Sequence, residues 1–218
     1  MATRTRLETA AAAAAIAILG CAAIADATGP ERAERVEQRA AIAAEEPPTA
    51  VVRVDNLAAI RAVDLRFAQE RAGAVFDRIG VRVIWISAEE AIERRLRPPF
   101  TLVLMVAGTA VEQPPMFMDA LGVAAPPVRR AHVYYDRIAA LNLRAPGGIL
   151  GILGDVMAHE LGHLMLPLPG HSSSGIMRPN VNVHLAPGET FLKPQARHIL
   201  ARLRQETLAP PLLQADDR

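Results

Sequence analysis

Residues 159–163 read His159-Glu160-Leu161-Gly162-His163. On a helix, side chains four residues apart share one face, about 6 Å apart along the axis. Two imidazoles so placed can bind one zinc ion from the same side. The carboxylate of Glu160 then lies beside the ion, within reach of a proton on bound water. The stretch ends an apolar run. That run predicts one helix from about Ile149 to Leu166, preceded by Gly147-Gly148 and stopped by Pro167 and Pro169.

Two helical ligands leave a zinc site incomplete, because catalytic zinc takes three protein ligands and a water. The third must come from outside the helix. His171 is the first candidate. It follows Pro167-Leu168-Pro169-Gly170, which breaks the helix and turns the chain, and it lies eight residues after His163. His184 and Glu189 stand in reserve as ligands.

Together, 159–163, His171-Ser172 and Gly175-Ile176-Met177-Arg178-Pro179 resemble the metzincin zinc metallopeptidases, most closely the matrixin pattern. The resemblance implies His159, His163 and His171 as zinc ligands, Glu160 as general base, and Met177 as the methionine of a turn beneath the metal. It is specific over 159–179 and architectural over 50–150. Two positions depart from the pattern. Leu166 stands where the family has Gly, and His171 falls two residues later than the family's third His, with Gly170 on hand for the turn. The implied reaction is peptide-bond hydrolysis by metal-activated water, Glu160 carrying the proton. By the same analogy a peptide or protein substrate lies extended along a sheet edge.

Upstream, Leu57, Ile60, Val63, Phe67, Val75, Phe76 and Ile79 recur at steps near 3.6 and predict a helix over 55–79, capped by Asp55 or Asn56 and ended by Gly80. Residues 81–86 and 101–106 read as strands, the second apolar throughout and so central. Residues 87–97 read as a short helix or irregular piece. Residues 107–127, with four Pro and two Gly, read as a long loop, and 131–135 as a third strand. A last helix runs from Lys193 or Pro194 to about Arg204, with Ala196, Ile199, Leu200 and Leu203 on one side. The expected fold class is α/β (α+β) with a mixed twisted sheet, a backing helix, the motif helix and a C-terminal helix. The resemblance makes this a zincin-like domain.

The N-terminus reads as an export signal. Arg4 and Arg6 precede an apolar run from Ala10 to Leu19, shorter than the ~20 residues a spanning helix needs. Ile18-Leu19-Gly20-Cys21 resembles a lipoprotein box; cleavage near Ala25 or a plain anchor helix through Ile24 are the competing readings. The expected organisation is 1–27 signal or anchor, 28–50 linker, 51–209 metallopeptidase domain and 210–218 tail. The expected destination is extracellular, periplasmic or membrane-anchored, the tether in the last case being Cys21 lipidation or the N-terminal anchor helix. Cys21 is the only cysteine, so no internal disulfide can form. The chain has 24 basic and 23 acidic residues; without Arg4, Arg6 and Glu8 each count is 22. That balance gives no electrostatic case for nucleic acid. Nothing in the chain fixes an oligomeric state.

Asp155, one turn before His159, reads first as a solvated carboxylate and second as a ligand-orienting group. Tyr134 and Tyr135 read as strand packing, His132 and His198 as structural or exposed, and Ser172 to Ser174 as turn formers. Two other functions fit the same motif: a non-catalytic, zinc-stabilised cell-envelope protein, and a zinc amidase acting on cell-wall peptide.

Overall fold

β1 (Thr49–Asn56) is the strand on which the sheet is built. Its Ala50, Val52 and Val54 point to one face and are buried, the period-two pattern of a strand. α1 (Ala62–Asp77) follows and presents Ala68, Ala72, Val75 and Phe76 to the same core. β2 (Arg82–Ser87), α2 (Ala88–Glu93), β3 (Phe100–Met105), β4 (Gly122–Ala125), β5 (Arg130–Tyr134), α3 (Tyr135–Ala140), α4 (Gly148–Met165) and α5 (Lys193–Leu208) complete the chain order. The computed structural model describes residues 46–96, 98–105, 120–141, 148–179 and 189–208. The proposed signal and Cys21, most of the linker, most of the 107–127 loop, His184 and the tail lie outside the described residues.

Among the described residues the fold is α/β, with a five-stranded mixed sheet in the order β2-β1-β3-β5-β4 and five α-helices. β1, β2, β3 and β5 run parallel; β4 runs antiparallel to β5. β3 is central, as its apolar run requires: Leu102 and Leu104 are fully buried, and Val103 and Met105 on the opposite face nearly so. α1 and α4 pack on each other and cover the face formed by Val52, Val54, Leu102, Leu104 and Val133. They approach closely at Gly154, where an added Cβ would stand 2.7 Å from the Ala68 carbonyl oxygen. No helix among the described residues is long and apolar enough to cross a membrane.

Three expectations are corrected. The helix expected from Asp55 begins at Ala62, because Thr49–Asn56 is a strand and 57–61 a turn. Thr49 and Ala50 are the first residues of that strand. Asn56 caps no helix; its amide donates to and accepts from the backbone of Ile60 at 2.8 and 3.1 Å, closing that turn. The 107–127 loop gives way at Gly122–Ala125 to β4, a strand too short and too rich in Gly and Ala to show a hydrophobic period.

Candidate metal centre

α4 is buried almost all round, from Gly151 to Leu164 apart from His163. A helix with this burial is a core element, and polar groups it carries inward need partners. It carries Asp155, His159 and Glu160, each no more than 5% exposed. His163 is half-buried, one turn further on.

His171 meets these two imidazoles by way of the turn after α4. Pro167 ends the helix, and Gly170 takes φ +73°, which a side chain rarely adopts. Space demands glycine there as well, since an added Cβ would stand 2.9 Å from His163 Nδ1. His171 then lies over the helix. The ring centroids are 4.7 Å apart for His159–His163, 4.6 Å for His163–His171 and 5.4 Å for His159–His171.

The nitrogens decide what the cluster can do. His163 Nε2 is 3.0 Å from His159 Nε2 and 3.0 Å from His171 Nε2, and all three ligand atoms lie within 4.8 Å of one another. His159 Nδ1 lies 2.8 Å from the Ile176 carbonyl oxygen. A carbonyl only accepts, so Nδ1 carries the proton and Nε2 of the neutral ring is a bare lone pair. Lone pairs this close repel unless a proton or a cation sits among them. Tetrahedral zinc at 2.0–2.1 Å from each nitrogen sets ligand atoms about 3.3 Å apart, near the 3.0 Å of the two pairs that share His163. The three histidines therefore form a possible metal site.

No protein-family model matches the chain, and no curated protein is significantly similar to it.

Burial and the neighbouring imidazoles push His163 down to about 3, and burial also lowers His159. Both rings are thus neutral, as ligands must be, well below the ordinary histidine range. Burial pushes the Glu160 carboxyl up to about 8. A cation among the imidazoles opposes that shift and favours the ionised form. The Glu160 side chain packs against β4. A Cβ on Gly122 would stand 2.6 Å from Glu160 Cγ and 2.7 Å from Oε1.

Met177 is fully buried. A Cβ on Gly162 would stand 2.5 Å from its Sδ, so Met177 packs against the helix at Gly162, the residue just before His163. Its turn is held by Ser172 N–H donating to Met177 O at 2.9 Å and Ile176 N–H donating to Thr190 O at 3.1 Å.

The other candidates fall away from the cluster. Glu189 accepts from Arg178 at 2.8 Å and is an ion-pair partner. Asp155 is neither solvated nor turned to the imidazoles. It is buried and takes two hydrogen bonds from Arg71 of α1, at 2.8 and 3.0 Å. Burial raises its carboxyl against the pull of that guanidinium. Tyr134 is buried under Arg137, which stacks 4.3 Å from the ring centroid. His198 is exposed and His132 half-buried on the sheet. A cavity of about 770 Å³ opens at the carboxyl ends of β1 and β2, lined by Asp55, Leu57, Arg66 and Trp85 among others, and holds none of the cluster residues.

Four contributors carry no motif signal in the sequence: Gly122, the Ile176 carbonyl, Arg71 and Gln195. Each acts across a long sequence separation, where only folding creates the contact.

Proposed function

We propose that the protein is a zinc-dependent hydrolase of peptide bonds, with the organisation of a metzincin. His159, His163 and His171 hold the metal through Nε2, and Glu160 is the general base. The observation that carries this reading is the convergence of the three Nε2 atoms, with His163 Nε2 3.0 Å from both others, beside a buried carboxyl at the next helix position. A purely structural site needs no such carboxyl.

A zinc ion held there supplies Lewis acidity toward a water molecule and the substrate carbonyl. The chain's own residues do the rest. Glu160 takes a proton from the attacking water on its carboxylate and delivers it to the leaving nitrogen as the C–N bond breaks. The Ile176 carbonyl keeps His159 in the tautomer that offers Nε2. Among the described residues β4 is the terminal strand of the sheet and lies beside Glu160, so an extended peptide is the substrate shape that fits. The export signal read at the N-terminus supports an envelope or extracellular setting for this activity.

Metal analysis of the purified full-length chain, followed by digestion of a peptide library with and without chelator, tests the reading. One zinc per chain and chelator-sensitive cleavage are expected. A chain that retains no divalent metal sinks it, and full zinc occupancy without cleavage of any peptide turns it into the zinc-stabilised envelope alternative.

A further inference from the structure

Gln195 sits in the first turn of α5, 24 residues beyond His171. Its side chain makes two hydrogen bonds in opposite directions. Oε1 accepts from Leu192 N–H at 3.0 Å, and Nε2 donates to the Gly170 carbonyl at 3.0 Å. The amide orientation follows from the partners, since a backbone N–H needs an acceptor and a carbonyl needs a donor. The first bond caps the start of α5, as a Gln at the third helical position does. The second fastens the peptide unit that leads directly into His171.

That fastening complements the one on the far side of His171, where Ser172 N–H donates to Met177 O at 2.9 Å. Leu168 is 78% exposed and His171 is exposed, so packing does not fix the loop. Gly170 is in a left-handed conformation that a loose chain would share with many others. α5, by contrast, is anchored, with Ile199 and Leu203 buried in the core. We infer that Gln195 is a positioning residue for the metal centre: it clamps the Gly170 carbonyl to the docked α5 helix and so holds His171 Nε2 at the ion. The C-terminal helix is thereby part of the site, although it supplies no ligand. This rests on the metal-site reading above.

Gln195→Glu separates the two bonds. A glutamate still accepts from Leu192 N–H, so the helix cap survives, but its carboxylate cannot donate to Gly170 at pH 7.5. Zinc affinity is measured by chelator competition on the full-length chain, and coordination by the d–d absorption of the cobalt-loaded protein. In Q195E the melting temperature stays near the wild-type value. Zinc binds about tenfold more weakly, and the cobalt bands move toward those of His171→Ala. Zinc affinity within twofold of wild type, with unchanged cobalt bands, overturns the inference. Should Q195E not fold, Gln195→Met removes both bonds, and its zinc affinity is read the same way once circular dichroism shows the wild-type helix content, so that loss of the cap does not enter the result. A wild-type chain that binds neither ion sinks the metal reading itself, which is a different failure.

Discussion

Gly122 of β4 and Glu160 of α4 are in contact with no room for a side chain between them: a Cβ at 122 would fall 2.6 Å from Glu160 Cγ. The edge strand thus rests its bare backbone on the residue proposed as base. Gly122→Ala should overpack this contact at a cost of about 1–3 kcal/mol. Moving the carboxylate by even an ångström should cost roughly 10²-fold in kcat. Urea unfolding and turnover measured on the same preparation check both; wild-type turnover would show that the strand does not locate the carboxylate.

Glu160→Gln preserves shape and removes the base. Zinc content should be unchanged, and peptide hydrolysis should fall by about 10²–10⁴-fold. Retention of full activity would mean that another group moves the proton.

His171→Ala removes the one proposed ligand that lies outside α4. Its effect on zinc affinity should exceed the roughly 10–100-fold typical of outer partners, with the fold intact because His171 is exposed. Chelator competition gives the number. Unchanged affinity would transfer the third-ligand role to a residue outside the described ones.

Asp155→Ala leaves the Arg71 guanidinium without its two bonds. Breaking a buried pair on one side costs ~3–5 kcal/mol, and about 2–3 kcal/mol is expected here because Arg71 is partly solvated. The loss should appear in the urea midpoint and not in zinc stoichiometry. Arg71→Met with Asp155→Leu should recover most of it.

The metal-stripped protein should respond to pH in two opposed ways. Glu160 has a folded pKa of about 8, above its ordinary value of 4.5, so its burial costs nothing below about 4.5 and progressively destabilises the fold as pH rises through 8. E160Q should therefore be more stable than wild type at alkaline pH, and the gap should close in acid. His163 is depressed to about 3, and His159 is lowered too, so the unfolded chain binds more protons below about 6.5. In E160Q, where the carboxyl no longer masks it, stability should fall as pH drops from 6.5 toward 3. Chemical denaturation across that range tests both slopes. A flat profile in E160Q would mean that the imidazoles are solvated.

α4, its stop at Pro167 and the central apolar strand were legible because each has a strong period or a proline to end it. β1 was hidden by the following helix. Leu57 and Ile60 extend the helical spacing of α1 backward, but Asn56 closes a tight turn on Ile60 instead. β4 was hidden because Gly and Ala make no pattern. Asp155 looked solvated because nothing near it in the sequence pairs with it; Arg71 lies 84 residues away.

By itself the sequence determined which atoms are offered: two imidazoles four residues apart with a carboxylate between them, a third imidazole after a helix-breaking turn, and a methionine turn downstream. Those are local facts, set by helix geometry and by proline and glycine. Only the tertiary structure decided that three Nε2 atoms meet, that His159 is fixed by a carbonyl 17 residues away, that Glu160 is buried against Gly122, and that α5 clamps the turn of His171. Directional hydrogen bonds and burial act between residues distant in sequence, so their consequences exist only once packing has brought the segments together.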